Sequence, residues 1–133
     1  MKFRKLLTII VGASSVAMGA FGAHILKPVL SEKSMSIFQT ASTYHLIYAV
    51  MILVLYLYSL RSNCQWLRRS YFCATIGLLF FSGSLYLIAI RELVDLEMFM
   101  PIIGPITPVG GVLLIVSWLL LFPALPTKIV LDQ

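Results

Sequence analysis

The chain has 133 residues, of which 60% are hydrophobic and 11% are charged, and its mean hydropathy is +0.99. A soluble domain of this size could not bury so much apolar surface, so the composition excludes a soluble globule and indicates a membrane protein. Ten Lys and Arg residues against five Asp and Glu residues give a net charge of +5. We attribute that charge to membrane topology and expect no nucleic-acid partner.

Four windows of the sequence lack Lys, Arg, Asp and Glu, and each can hold a spanning helix of about 20 residues. The windows are 6–26, 34–60, 70–90 and 98–127. We therefore predict an all-α, polytopic membrane protein that forms a single domain over residues 1–133. Its four transmembrane helices are predicted at about 6–26, 37–60, 70–90 and 106–122.

The distribution of cations predicts the orientation of these helices, because cytoplasmic loops carry an excess of Lys and Arg. If the amino terminus is cytoplasmic, seven cations lie on that side of the membrane and three on the other. The seven are Lys2, Arg4, Lys5, Arg61, Arg68, Arg69 and Lys128. The prediction is therefore that both termini are cytoplasmic.

The first span begins like a secretory signal, with basic residues before an apolar run. Its small residues nevertheless recur at helical spacing, which places them on one face where a neighbouring helix can approach closely. We call this face the small-residue seam, and it consists of Thr8, Gly12, Ser15, Gly19 and Gly22. The seam favours a retained helix that packs within the protein or against a second copy.

The next two spans carry most of the polar side chains. After a helix stop at Lys27-Pro28, either Ser31 or Ser34 is expected to cap the second helix. That helix holds Tyr44, His45 and Tyr48, and the third holds Ser82, Ser84 and Tyr86. Aromatic residues near the cytoplasmic ends predict an interfacial belt of Trp66, Tyr71, Phe72, Trp118 and Phe122.

The fourth span begins with Gly104-Pro105-Ile106-Thr107-Pro108-Val109-Gly110-Gly111. Thr107-Pro108 predicts a cap followed by proline at the first helical position. A regular helix over 108–122 would then be about 22 Å long, shorter than the roughly 30 Å hydrocarbon core. The alternative is a helix that starts earlier and kinks at the prolines.

Helical rise places the polar side chains of all four spans in the outer half of the membrane. We predict a polar cluster or ligand pocket formed by His45, Tyr44, Tyr48, Ser82, Ser84, Tyr86, Thr107, Gly110 and Gly111. Unpaired amides of Val109 and Gly110 would favour an anion or a carbonyl oxygen, unless Thr107 caps them.

These spans contain no Asp, Glu, Lys or Arg, so they lack the side chains that a proton relay or a hydrolytic pair would need. We therefore predict no catalytic residue. His24 and His45 are two imidazoles with no carboxylate or thiolate close by, which is too few ligands to indicate a metal or haem site. We therefore predict no metal site and no cofactor.

Four blocks of the sequence resemble the signatures of the YgdD-like family, a domain-of-unknown-function family of small bacterial inner-membrane proteins. They are 19–24, 38–41 with Tyr44-His45, 81–86, and 104–111 with Trp118. The resemblance implies a four-helix membrane fold, an unprocessed first helix and an inner-membrane location, and it implies no reaction. Tyr48 stands where family members often have histidine.

These observations predict a non-enzymatic structural or accessory membrane component. Its expected partners are membrane lipids and either a second copy or other membrane proteins. The alternative is binding or transport of a small molecule, an anion or a lipid through the polar pocket.

Overall fold

The computed structural model describes residues 2–125, and the structural statements below refer to that range. Its elements are α1 (Lys2–Phe21), a π-helical turn (Gly22–Leu26), α2 (Glu32–Ser59), α3 (Gln65–Ile90), a short 3-10 turn (Glu97–Phe99) and α4 (Met100–Leu119). The four candidate spans, one of which continues α1 through the π-helical turn, are long and apolar enough to cross a membrane. The predicted all-α membrane architecture is thereby confirmed. Lys128, used in the orientation argument, lies outside the described residues.

The amino-terminal end of α2 is capped by Ser31, one of the two serines expected there. Ser31 Oγ accepts a hydrogen bond from the backbone N–H of Ser34 at 3.3 Å. The cap satisfies one of the amides that have no partner inside the helix.

The fourth helix begins at Met100 and continues through Pro105 and Pro108. The predicted cap at Thr107 is therefore wrong, and the alternative of an earlier start holds. Each internal proline removes one backbone hydrogen bond, whereas irregular backbone in lipid would leave several polar groups without partners. Continuing the helix is the smaller cost, and 20 residues give about 30 Å, enough to cross the hydrocarbon core.

The helices pack in chain order, with α1 against α2, α2 against α3 and α3 against α4. Within residues 2–125, the backbones of α1 and α3 do not approach each other closely. The main core lies between α2 and α3 and includes Ile52, Leu55, Leu67 and Tyr71. A second cluster at the opposite end of the molecule includes Phe38 and Ala89.

α3 and α4 approach each other closely at two glycines. A Cβ added to Gly110 would lie 2.4 Å from the backbone nitrogen of Phe81, and one added to Gly77 would lie 2.8 Å from Leu114 Cδ2. The contact at Gly110 requires glycine, because an added Cβ would overlap the backbone of α3, whereas at Gly77 the nearest atom is a leucine methyl group that can move. On α3, Ser70, Gly77 and Ser84 recur every seven residues, which brings small side chains repeatedly to this interface.

Candidate functional site

His45 links three helices through its two ring nitrogens. Nε2 lies 3.3 Å from Ser14 Oγ of α1, and Nδ1 lies 3.2 Å from the Tyr86 hydroxyl of α3. A neutral imidazole has one N–H donor and one acceptor nitrogen, so these two contacts use its whole hydrogen-bonding capacity. The ring is half-buried, and its two contacts make it a bridge from α2 to α1 and α3.

Tyr48 forms a separate bridge from α2 to α4. Its hydroxyl donates to the carbonyl oxygen of Leu114 at 3.2 Å and accepts from Trp118 Nε1 at 3.0 Å. Tyr44 stacks on Tyr48 with 6.5 Å between ring centroids and packs against Phe81 at 4.8 Å. Trp118, predicted as part of the interfacial belt, thus also holds a side chain of the core.

A third bridge joins α3 to α4. Ser84 Oγ lies 2.7 Å from Thr107 Oγ1 and also donates to the carbonyl oxygen of Phe81 at 3.0 Å. Each hydroxyl has a partner, so this pair holds α3 and α4 together at this point of their interface.

Gly110 and Gly111 face α3 and contribute packing at the same interface. Gly110 abuts the backbone of Phe80 and Phe81, and a Cβ on Gly111 would lie 3.6 Å from the Phe81 ring. The suggested anion site at the amides of Val109 and Gly110 is wrong, because both residues lie in the interior of α4. Interior amides bond to the preceding turn of the helix.

Ser82 differs from the other buried hydroxyl residues of the predicted cluster. It is 2% exposed, and its Oγ has no hydrogen-bond partner within residues 2–125. It lies in the wall of a cavity of about 520 Å³ between α1, α2 and α3. We call this cavity the α1–α3 groove. His45 and Tyr86 line it as well, whereas Tyr48, Gly110 and Gly111 are not among its lining residues.

The predicted cluster therefore divides into three bridges and a groove. The structure brings His45 to Tyr86, Tyr44 to Tyr48, and Ser84 to Thr107. Tyr44 and Tyr48 share α2, and the bonds of His45, Tyr48 and Ser84 join different helix pairs, so these residues do not enclose one common pocket.

The small-residue seam of α1 is used unevenly. Thr8, Ser15 and Gly22 are buried, and a Cβ on Gly22 would lie 2.4 Å from the Phe38 ring. A Cβ on Gly19 would make an ordinary 3.7 Å contact with Ser42 Oγ, and one on Gly12 would meet no atom of residues 2–125 within 4 Å. Close approach is therefore confined to part of the seam.

A network at the opposite end of α1 was not predicted. The Tyr71 hydroxyl lies 3.0 Å from Thr8 Oγ1 and 3.1 Å from the carbonyl oxygen of Arg4. Arg4 donates to Ser59 Oγ at 3.0 Å, and its guanidinium lies 4.4 Å from the Tyr71 ring centroid. Tyr71 is fully buried, so its ring packs inside the bundle and does not face the membrane as a residue of the predicted aromatic belt would. The four-residue spacing of Arg4 and Thr8 placed them on one face, but nothing local indicated Tyr71 as their partner.

Glu92 joins the two loops at the other end of the molecule. Its carboxylate accepts hydrogen bonds from Ser34 Oγ and Ser31 Oγ, both at 2.8 Å, and from the Ser31 amide at 3.3 Å. These bonds, with that of Ser34 the strongest influence, lower the pKa of Glu92 below its ordinary value of 4.5. The α1–α2 loop is thereby tied to the residues that follow α3.

In the part of the chain that the structure describes, no three His, Cys, Asp or Glu side chains gather in a way that could hold a metal ion. His24 lies exposed in the π-helical turn, and His45 is occupied by Ser14 and Tyr86.

The four helices and their internal polar bridges define a small polytopic α-helical membrane protein. A family model described as "Protein of unknown function (DUF423)" matches residues 18–111. The chain belongs to the DUF423 family.

Curated relatives extend the similarity along most of the chain. It is 42% identical over 119 residues to a UPF0382 membrane protein of Staphylococcus epidermidis, covering 85% of this chain and 89% of the relative. It is 34% identical over 120 residues to the UPF0382 inner membrane protein YgdD of Escherichia coli, covering 90% and 86%. It is 32% identical over 121 residues to the UPF0382 membrane protein YwdK of Bacillus subtilis, covering 87% and 93%. These matches confirm the predicted YgdD-like family, and no solved structure matches the chain.

Proposed function

We propose that this protein is a non-enzymatic accessory component of a bacterial inner membrane. The observation that carries the proposal is that His45, Tyr48 and Ser84 each bond to a neighbouring helix. Polar groups within a membrane are functional candidates by default, because they are expensive to bury. Here their hydrogen bonds are used to hold helices together.

The non-enzymatic part of the proposal rests on the chemistry of His45. A general base must lie within hydrogen-bond reach of the proton that it removes. Both nitrogens of His45 already contact protein hydroxyls, those of Ser14 and Tyr86. The imidazole acts as a structural bridge in this arrangement.

The proposed location and orientation have separate support. The relative from Escherichia coli is an inner membrane protein by its name. Arg4 bonds to Ser59, two residues before Arg61, so the cations of α1 and of the α2–α3 loop share one end of the bundle. We propose that this basic end is cytoplasmic.

The proposed partners are membrane lipids and other membrane proteins or a second copy. The outer face of α4 supports this, because Val109, Val112 and Ile115 are each more than half exposed and would contact lipid or another helix. The other candidate partner surface, the small-residue seam, is partly used inside the protein, since Thr8 bonds to Tyr71 of α3 and Gly22 packs against Phe38 of α2.

Orientation can be tested by fusing paired reporters after Gln133, one active only in the cytoplasm and one active only in the periplasm. We expect the cytoplasmic reporter alone to be active. Activity of the periplasmic reporter would contradict the proposed topology.

The non-enzymatic role can be tested in proteoliposomes supplied with a total lipid and metabolite extract. A variant with His45→Asn, Tyr86→Phe and Ser84→Ala serves as the matched control. Untargeted mass spectrometry should show the same composition for both proteins after incubation. A product that accumulates beyond one molecule per protein with the wild type alone would refute the proposal.

A further inference from the structure

The α1–α3 groove has a polar end and an apolar end. Ser14, His45, Ser82 and Tyr86 lie together at one end, since Ser14 and Tyr86 both contact His45 and Ser82 is one turn before Tyr86. The other end is lined by Leu7, Ile10, Thr75, Ile76 and Leu79. From Thr75 to Tyr86 the groove extends roughly 16 Å along α3 at helical rise.

The volume of the groove suits a small amphiphile. Its 520 Å³ falls within the range of roughly 300–1,000 Å³ that is typical of ligand sites. Leu79 and Ile10 at its apolar end are 69% and 52% exposed, so that end opens toward the lipid. A molecule dissolved in the membrane could therefore enter from the side.

Ser82 offers a hydrogen-bond donor to a ligand in the groove. Its hydroxyl is the buried side-chain oxygen in residues 2–125 that has no hydrogen-bond partner. A buried hydroxyl without a partner is destabilising, and rotation about its single side-chain bond would let it donate to a ligand in the groove. A ligand with an acceptor oxygen would satisfy it.

Charge and depth restrict that ligand further. The lining residues include no Asp, Glu, Lys or Arg. Ser82 lies eight residues before the end of α3 at Ile90, which places it about 12 Å inside that helix end. A charged lipid head group would have to leave water to reach it, whereas an uncharged carbonyl group would not lose a full ionic hydration shell.

We propose that the α1–α3 groove binds an uncharged lipid whose carbonyl oxygen accepts a hydrogen bond from Ser82. The flat rings of His45 and Tyr86 flank the carbonyl end, and the apolar tail lies along Leu7, Ile10 and Leu79 toward the basic end of the bundle. A quinone with an alkyl tail has this chemistry. The site goes beyond the proposed accessory role, which requires no ligand.

The binding site can be blocked at Gly83, which lines the groove. A Cβ there has Leu79 Cδ1 as its nearest neighbour, at 4.0 Å, so the backbone has room for a side chain and Gly83→Leu is expected to occupy the groove. Gly104→Leu is the matched control, because a Cβ at Gly104 meets no atom of the described residues within 4 Å and this residue lies on α4, away from the groove. Ser82→Ala removes the donor and leaves the shape of the groove nearly unchanged.

The test measures thermal unfolding of the full chain in detergent micelles, titrated with decylubiquinone at a fixed detergent concentration. Wild type and Gly104→Leu should be stabilised in a saturable manner, and Gly83→Leu should not. Ser82→Ala should weaken binding roughly 3- to 10-fold, the loss expected for one hydrogen bond. Hexadecane, which lacks the oxygen, and hexadecyl phosphate, which is charged, should stabilise wild type less at equal mole fraction.

Each departure overturns a stated part of the proposal. No saturable stabilisation by decylubiquinone would remove the site. Equal binding by Gly83→Leu, or by Ser82→Ala if Gly83→Leu does not fold, would place the ligand elsewhere. Equal stabilisation by hexadecane would refute the carbonyl contact, and equal stabilisation by hexadecyl phosphate would refute the requirement for an uncharged head.

Discussion

Replacing Gly110 by alanine tests the α3–α4 contact most directly. The added Cβ would lie 2.4 Å from the backbone nitrogen of Phe81 and 2.8 Å from the carbonyl carbon of Phe80. Backbone atoms cannot move away by rotating a side chain, so the two helices must separate locally by about 1 Å to restore an ordinary 3.4 Å contact. Gly104→Ala, on the same helix, has open space around its Cβ.

The magnitude follows from comparing these two variants. Alanine in place of glycine favours a helix by roughly 0.5–1 kcal/mol, and this gain applies to both positions. Overpacking typically costs about 1–3 kcal/mol, and it applies to Gly110 alone. Separation of the helices also lengthens the 2.7 Å contact between Ser84 and Thr107. We expect Gly110→Ala to be less stable than Gly104→Ala by about 2 kcal/mol, roughly 30-fold in the unfolding equilibrium.

The comparison can be made by titrating each variant from a mild detergent into sodium dodecyl sulfate and following helicity and tryptophan fluorescence. Gly104→Ala should unfold at or slightly above the wild-type midpoint, and Gly110→Ala well below it. If both variants unfold at the same midpoint, the close approach of α3 and α4 at Gly110 is refuted.

Three further predictions concern the hydrogen bonds at the ends and in the centre of the bundle. The hydrogen bonds that Glu92 accepts lower its pKa, so their contribution to the free energy of unfolding is full above the ordinary pKa and is lost as pH falls through the lowered pKa. The difference in unfolding midpoint between wild type and Glu92→Gln should therefore be present at pH 7 and vanish in strongly acidic buffer. A difference that does not change with pH would contradict this. Tyr71→Phe should lower the free energy of unfolding by about 1 kcal/mol in the same detergent titration, whereas Tyr58→Phe at an exposed position should not; equal effects would contradict the buried network. A double-mutant cycle of Ser84→Ala and Thr107→Val should give a coupling of about 0.6 kcal/mol, and additive losses would show that the two hydroxyls do not interact.

The helices themselves could be predicted because lipid imposes a strong requirement on length and charge. Each predicted span needed about 20 residues without ionised side chains, and the four windows met that condition. Ser31 was one of two expected caps, since a serine oxygen before a helix accepts an amide wherever the loop is solvated.

The start of α4 could not be predicted from the same local rules. Thr107-Pro108 has the pattern of a helix start in water, where the preceding backbone can bond to solvent. Inside a membrane the preceding residues gain more by remaining helical, so the helix begins at Met100 despite Pro105 and Pro108. The membrane environment therefore favours a helix that starts at Met100 over one that starts after Thr107.

The polar cluster was predicted by depth alone, and depth does not determine direction. His45 and Tyr48 are three residues apart, yet His45 contacts α1 and α3 while Tyr48 contacts α4. Helical rise gives the height of a side chain, but its partner depends on how each helix is rotated about its axis. The Ser70, Gly77 and Ser84 repeat was the available signal for the α3–α4 interface.

The packing of each helix on its neighbour in the chain has a consequence for biogenesis. α1 and α2 can pair as soon as both have entered the bilayer, and α3 and α4 can then be added in turn, because within residues 2–125 the closely packed long helices are neighbours in the chain. Short separations along the chain keep the entropy of loop closure small and favour fast assembly. A ribosome that releases the helices one after another therefore delivers them in the order in which they associate.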